Sequence, residues 1–455
     1  MEVSDGMKAF IKSYGNYKSY PYLVNDAFVE EHGRFRLREL AQSLEKRPEY
    51  LIYDQWSDVE TDVVAWDISA DGVVKTSSCK SNAEIYELLG DQSHPNPQYE
   101  AMHKANASVD ELYSFLHDQS RPYPQYEPMI LGKLATRADP KLRLIFLRCS
   151  DIPNFVQISL EGLRRMFSYH EVSPNILDFL AAYNTRHESG FHGFRTEVHL
   201  TKKDASSAIP ELHRSGLRYN VCYSLKTVVE NYPLVNDATR IEQVAIYHQF
   251  DVGTDTQHWV LTNTEPSVSK CMESMFQASE NHREKLESPA TCFNTSLEVH
   301  FHAARTMATG WFRYISYLEE ELQRIRSTGL KPIPWWQDEV SGRMAAEVKR
   351  LEDLHPFETT LVQAISALEL NTDILGSLHL FYEQLLLYDN FTGSDKYESY
   401  AYNVGKFRFR LQELILNINM QLKRVKLVLQ RASSDKLLTG QKVALAMKNK
   451  RQRVE

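Results

Sequence analysis

A run of apolar residues between Leu297 and Ile325 constrains the fold of this chain more than any other feature. The spacing alternates between four and three residues, through Leu297, Phe301, Ala304, Ala308, Trp311, Ile315, Leu318, Leu322 and Ile325. Because a helix completes a turn in about 3.6 residues, this spacing places every one of them on one face, as in a coiled coil. The sequence therefore predicts a long helix that packs against other helices along its length.

Two more long helices are predicted towards the C-terminus. A proline-rich break at 329–336 is followed by a helical region from about Met344 to Tyr388, with a candidate interruption at His355–Pro356. A third helix carries an apolar stripe, which consists of Leu411, Leu414, Ile418, Leu422, Val425, Leu429 and Ala432. Short breaks between long helices predict an antiparallel arm or bundle over 266–432, ahead of a basic tail at 433–455.

A sheet domain is predicted upstream of this arm, over 136–265. Its strands are "KLRLIFLRC" (141–149), "LRYNVCYSLKTV" (217–228), "VAIYHQFDV" (244–252) and "HWVLTN" (258–263). Two helices lie between the first two strands, one capped by Ser159 and one by Ser173 with Pro174 at its first position. The predicted fold class is α+β: a mixed α/β sheet domain followed by three long antiparallel, coiled-coil-like helices.

Residues 1–135 form a separate N-terminal region in this interpretation. "VVAWDISADGVVKT" predicts a hairpin around Asp71–Gly72. Residues 81–100 are repeated at 108–127, and each copy predicts a short helix followed by an extended Pro-x-Pro segment. The copies are either twin proline-rich docking peptides or a surface excursion produced by a local duplication.

No catalytic, cofactor-binding or metal-ligating residue is predicted. The histidines of "TRHESGFHGFRTEVHL", which are His187, His192 and His199, share no helix or strand face, and His300 and His302 point in different directions on a helix. A His248–Asp251 catalytic pair would need a nucleophile in a recognisable turn, and the phosphate-binding glycine patterns are missing. The carboxylates Glu319–Glu321, Glu347, Glu352 and Asp353 are typical of a solvated helix face, with Mg²⁺ sensing as the alternative.

Composition narrows the class of protein. A net charge of -8 argues against a general nucleic-acid binder. Five scattered cysteines without a Cys-x-x-Cys pair favour reduced thiols and an intracellular location. Neither a secretory signal nor a run of about 20 apolar residues is found, so the sequence predicts no membrane span.

Two tracts resemble the CorA-like transporter domain of a family of fungal proteins that are distantly related to CorA magnesium transporters. They are "IFLRCSDIPNFVQISLEGLRRMFSYHEVSPNILDFLAAYNTRHESGFHGFRTE" (145–197) and the segments "LRYNVCYSLKTV" and "RIEQVAIYHQFDVGTDTQHWVLTN" within 217–263. The resemblance continues through the long helices to "LQELILNINMQLKRVKLVLQRASSDKLL". It covers about 300 residues from roughly position 140 onward.

The resemblance implies a cytoplasmic domain, a pentameric assembly and a last helix that is similar to the stalk leading into the CorA pore. It also implies magnesium as the candidate ion. The Gly-Met-Asn tripeptide of the CorA pore mouth is missing from the 455 residues. We therefore expect an assembly, regulatory or ion-sensing role at the cytoplasmic face of a membrane rather than transport by this chain alone, with a second copy or a membrane-bound CorA-like relative as partner.

Two other classes of function stay open at this point. A helical adaptor would dock partners through the Pro-x-Pro copies and the basic tail. An enzyme would be centred on the histidine cluster.

Overall fold

The computed structural model describes residues 4–15, 17, 20, 21, 39, 41, 42, 44, 61–90, 138–149, 156–181, 193–230, 239–263, 266–277, 282–328, 339–392 and 397–452. The first part of the chain contains α1 (Asp5–Gly15), β1 (Val63–Ile68), β2 (Val74–Cys79), α2 (Asn82–Leu89), β3 (Leu142–Arg148), α3 (Leu160–Tyr169), α4 (Ile176–Ala181), β4 (Phe194–His199) and α5 (Lys202–Ala205). The second part contains β5 (Arg218–Glu230), β6 (Thr239–Asp251), β7 (Thr256–Asn263), α6 (Pro266–Gln277), α7 (His282–Leu286), α8 (Pro289–Thr328), α9 (Glu339–Leu385), α10 (Asp389–Thr392) and α11 (Tyr397–Gln452).

One seven-stranded sheet organises the described part of the chain. Its strand order is β2-β1-β3-β7-β6-β5-β4, and every pairing is antiparallel except that of β3 with β7. The predicted hairpin at Asp71–Gly72 is confirmed by β1 and β2, and Gly72 adopts a φ of 82° that favours glycine. The strands predicted at 141–149, 217–228, 244–252 and 258–263 are also confirmed.

Helices cover both faces of the sheet. Trp259 and Leu261 of β7 point towards α8 and α9, and Val260 points to the opposite face, where α1, α2, α3 and α4 pack. This alternation follows from the two-residue period of a strand, and burial on both faces explains why the central strands are apolar on both sides.

The long helices form the predicted antiparallel arm. Ion pairs join Glu298 to Arg410 and Glu319 to Arg424, so α8 and α11 run parallel to each other. Pairs of Glu369 with Lys426 and of Glu358 with Lys436 show that α9 runs antiparallel to α11. The predicted α+β class, with a mixed sheet followed by three long helices, is confirmed.

The structure differs from the sequence interpretation at Pro356. The candidate break at His355–Pro356 does not occur, and α9 is continuous from Glu339 to Leu385. A proline inside a helix costs about 3 kcal/mol, whereas burial of each neighbouring large apolar side chain contributes roughly 1.5–3 kcal/mol. Leu354, Phe357 and Leu361 are all buried around the exposed proline, so packing outweighs the proline penalty.

Three boundaries also differ from those expected. Strands β1 and β2 come from the region before 136, so the sheet crosses the expected boundary at 135. Residues 433–452 continue α11 rather than forming a separate tail. Helix α4 begins at Ile176, later than a cap at Ser173 predicts, although the Ser173 Oγ accepts a hydrogen bond from the Asn175 N–H and donates its own proton to Glu197. The Ser159 cap of α3 is confirmed, since its Oγ accepts a hydrogen bond from the Gly162 N–H.

Candidate functional site

A row of polar side chains crosses the sheet on the face that packs against α3 and α4. Adjacent strands place these residues directly side by side, in the order Asp67, Arg143, His258, Gln249, Asn220 and Glu197. All of them except Gln249 are at most 8% exposed. Buried polar groups destabilise a fold unless they are hydrogen-bonded, so each side chain in this row needs a hydrogen-bond partner inside the protein.

Arg143 and Asp67 form the ion pair at one end of the row. The two hydrogen bonds, Nε to Oδ1 and Nη2 to Oδ2, measure 2.6 and 2.7 Å. The remaining Arg143 Nη1 lies 3.3 Å from Nε2 of His170. The bidentate geometry satisfies both carboxylate oxygens inside the protein.

Glu197 lies at the other end of the row. Its Oε1 accepts hydrogen bonds from Ser173 Oγ and Asn175 Nδ2, at 2.7 and 2.9 Å, and its Oε2 accepts one from Asn220 Nδ2 at 3.0 Å. Burial raises the pKa of Glu197, but hydrogen bonds from His199, Ser173 and Asn220 outweigh it and lower the pKa overall. His199 thus assists a structural carboxylate. The other two histidines of that tract, His187 and His192, lie outside the described residues.

The middle of the row borders a small cavity beside His258. Two more arginines line it: the buried Arg214 donates from Nε to Asp139 at 2.6 Å, and the partly buried Arg218 donates from Nη1 to Glu171 at 2.7 Å. The rings of His258 and His170 stack with centroids 4.0 Å apart. Burial and the nearby arginines hold the pKa of His258 well below its usual range.

A second polar cluster lies on the opposite face of the sheet, beneath α8 and α9. His300 Nδ1 is 2.8 Å from the Tyr223 hydroxyl, and His300 Nε2 is 3.1 Å from His248 Nδ1. Tyr382 of α9 lies 3.4 Å from the same His248 nitrogen. Burial lowers the pKa of His300 to about 3, so the ring is neutral at physiological pH. The cluster ties the arm to the sheet.

His302 points away from His300, as the sequence predicts. Its Nε2 is 3.5 Å from Glu298, which also pairs with Arg410 of α11. Hydrogen bonds with Cys271 and Glu298 raise the pKa of His302 to about 9. The five cysteines are all free thiols.

The helix carboxylates named from the sequence mostly form ion pairs on or between helices. Glu319 pairs with Arg424, Glu321 with Arg324, and Asp353 with Lys349. Glu347 is shared by Arg350 and Lys442. Within the described ranges, no group of three His, Cys, Asp or Glu side chains could hold a metal ion. In the same part of the chain, no helix is both long and apolar enough to cross a membrane.

The outer face of α11 carries a line of exposed apolar side chains at intervals along the helix, which we name the α11 stripe. Its members follow one another at steps of 7, 7, 4, 7, 11 and 7 residues: Tyr402, Phe409, Leu416, Met420, Leu427, Leu438 and Leu445. They are 53–73% exposed. These steps are near multiples of the helical period, so the stripe stays on one side of the helix.

The inner side of α11 is the stripe found from the sequence. Leu411, Ile418, Val425 and Ala432 are at most 3% exposed where α11 packs on α8 and α9. The α11 stripe lies on the opposite side and extends about 65 Å, at 1.5 Å per residue. The apolar spacing in the sequence predicted only the inner stripe; the outer one was not predicted, although its seven-residue steps are visible in the sequence.

Comparison with known proteins places the chain in a family. A family model described as CorA-like transporters matches residues 12–330, which is more than half of the chain. The chain therefore belongs to the CorA-like family, and this family is described by transport rather than by catalysis. The match begins well before residue 140, where the resemblance in the sequence starts, and it ends before α9. No curated protein matches the chain.

Several solved structures are similar to this fold. The CorA magnesium transporter from Methanocaldococcus jannaschii is 14% identical, with a TM-score of 0.39 over 70% of this chain and 73% of that chain. The ZntB cytoplasmic domain from Vibrio parahaemolyticus is 12% identical, with a TM-score of 0.29 over 64% of this chain and 87% of that chain. The full-length CmaX protein is 10% identical, with a TM-score of 0.34 over 86% and 82% of the two chains.

Proposed function

We propose that this chain is a non-enzymatic CorA-like domain that assembles with further copies of itself through the α11 stripe. The stripe carries the proposal because it exposes a 65 Å line of large apolar side chains, far longer than the scattered apolar residues of ordinary surfaces. We further propose that the assembly acts in the cytoplasm, beside the membrane in which a CorA-like relative transports its ion. We also propose that the chain belongs to the fungal branch of this family.

The energy available to the stripe is sufficient for association. Burying a Leu, Phe or Met side chain contributes roughly 1.5–3 kcal/mol. Scaled to the exposed fractions, the stripes of two copies would contribute roughly 12–25 kcal/mol. Association of two proteins costs roughly 4–15 kcal/mol in lost freedom. Over most of these two ranges the hydrophobic term exceeds the cost of association, so it favours assembly.

Mg²⁺ is the ion that we propose the assembly senses. Glu320 and Glu352 are exposed on α8 and α9, where a neighbouring copy could approach them. Carboxylate oxygens from two copies, together with water, are the ligands that Mg²⁺ prefers. Binding between copies would link the ion concentration to the degree of assembly.

Light scattering after size exclusion tests the assembly. We expect a mass above that of one chain, and we expect Leu416→Glu with Met420→Glu to reduce it to the monomer, because the two new charges lie inside the stripe. Asn417→Glu with Gln430→Glu is the matched control, since both residues are exposed on α11 outside the stripe. A monomeric wild-type chain, or equal masses for the two variants, would refute assembly through this face.

The same experiment with and without Mg²⁺ tests sensing separately. We expect Mg²⁺ to raise the mass or the Tm, and Glu320→Gln with Glu352→Gln to abolish that change. If the mass and the Tm do not respond to Mg²⁺, the sensing role is refuted, whereas the assembly role is not affected. The adaptor alternative stays a prediction, because residues 91–137, which contain most of the duplication, lie outside the described residues.

A further inference from the structure

The cavity beside His258 has hydrogen-bonding groups without partners. It lies where β3, β5, β6 and β7 meet the segment after α3, and its volume is about 30 Å³. This space is sufficient for one small ion or one to two water molecules. The site lies on the sheet face that is remote from α11, so it is separate from the α11 stripe.

The carboxylates around the cavity are already occupied. Asp67, Asp139 and Glu171 each bind an arginine. Asp251 accepts hydrogen bonds from the N–H and hydroxyl of Ser215 and from the N–H groups of Gly253 and Thr254. A metal cation would therefore find no free carboxylate among the described lining residues.

Other hydrogen-bonding groups, by contrast, are left without partners. In the described part of the chain, neither ring nitrogen of His258 has a hydrogen-bond partner, and neither does Nη2 of Arg214. Both side chains are 8% exposed, so water at the surface does not satisfy them. A buried donor without a partner costs about 1–3 kcal/mol. An occupant that accepts hydrogen bonds from Arg214 and His258 would remove this penalty.

The charges around the cavity determine whether an occupant with its own charge must bring a counter-charge. The nearby formal charges are three positive, on Arg143, Arg214 and Arg218, and four negative, on Asp67, Asp139, Glu171 and Asp251. The other groups facing His258 are His170, Tyr247 and Gln249. With both histidines neutral, this surrounding favours no additional negative charge. A proton on His258 would offset the charge of an entering anion, so that the net charge of the surroundings would not change, and it would convert both ring nitrogens into donors.

We infer that this cavity binds one small inorganic anion of about the size of chloride, together with a proton on His258. Arg214 Nη2 and the imidazolium of His258 donate to the anion. Because a proton enters with the anion, the affinity rises as the pH falls.

Thermal unfolding of the full chain tests this inference. The Tm is measured at constant ionic strength in chloride and in gluconate, an anion too large for the cavity, at about pH 6 and about pH 8. We expect chloride to raise the Tm by at least about 1 °C over gluconate at the lower pH, and by less at the higher pH.

His258→Gln removes the titrating group, and His355→Gln is the matched control, because His355 is exposed on α9 away from the cavity. We expect the chloride effect to disappear in the first variant and to persist in the second. If His258→Gln does not fold, the wild-type comparison of the two salts at two pH values still decides. Equal Tm values in both salts, or an effect that grows with pH, would show that only water or adventitious ions occupy the cavity and would overturn the inference.

Discussion

The buried pair of Arg143 and Asp67 gives the sharpest test of how the sheet is stabilised. Their side chains are 6% and 7% exposed, and the Arg143 Nε–Asp67 Oδ1 contact measures 2.6 Å. Arg143→Met removes the cation and leaves a carboxylate buried beside apolar strands. Breaking such a pair from one side costs about 3–5 kcal/mol, because the remaining charge keeps its desolvation penalty.

The double variant separates this penalty from the net contribution of the pair. Asp67→Leu combined with Arg143→Met removes both charges, and replacing a buried pair by apolar side chains is often neutral or stabilising. We therefore expect the double variant to unfold at a urea concentration near that of the wild type. The double variant also loses the Arg143–His170 contact at 3.3 Å, so we expect its stability to approach that of the wild type without fully reaching it.

Urea unfolding followed by circular dichroism measures these free energies. Arg324→Met is the matched control, because Arg324 also binds one carboxylate, that of Glu321, but is 64% exposed. We expect Arg324→Met to lower the free energy of unfolding by at most about 1 kcal/mol, because this pair lies at the surface. A loss below about 1 kcal/mol in Arg143→Met, or a double variant whose loss equals the sum of both single losses, would contradict the reasoning.

Three further predictions concern packing and pH. Leu361→Ala should destabilise the chain by about 2–5 kcal/mol in urea unfolding, because Leu361 is fully buried. The adjacent Val362→Ala, 53% exposed, should change stability by no more than about 0.5 kcal/mol. Since the pKa of His300 is lowered to about 3, stability should fall as pH decreases from about 6.5, and His300→Phe should reduce this slope by about 1.4 kcal/mol per pH unit. The pKa of His302 is raised to about 9, so its stabilisation should be full below about pH 6.5 and disappear as pH rises through 9; unfolding of His302→Gln across this range should lack that decrease.

The regular elements could be predicted because their signals are local. The strand at 141–149 alternates apolar residues, the Asp71–Gly72 turn fixes a hairpin, and the apolar seam from Leu297 to Ile325 fixes α8. The helix through Pro356 could not be predicted in the same way. Its continuity depends on burial against α11 and the sheet, which no short stretch of sequence contains.

The polar row could not be predicted because it belongs to the sheet rather than to any strand. Asp67 and Arg143 are 76 positions apart, and His258 and Glu197 are 61 positions apart. Each looks like an isolated polar residue in an apolar strand. Only the register of six strands places them side by side, and register depends on long-range pairing. A polar residue inside an apolar strand is nevertheless a signal, since it needs a buried partner.

The position of α11 explains why one of its faces remains open. Helices α8 and α9 are fastened to the sheet, for example through Asn371, whose side chain bonds to the backbone N–H and C=O of Lys226 in β5. Helix α11 packs chiefly on these two helices, which occupy its inner side. An ordinary surface helix carries polar residues on its remaining side. On α11, large apolar residues from Tyr402 to Leu445 are exposed on this side among polar ones, which is the pattern expected if a second copy packs there.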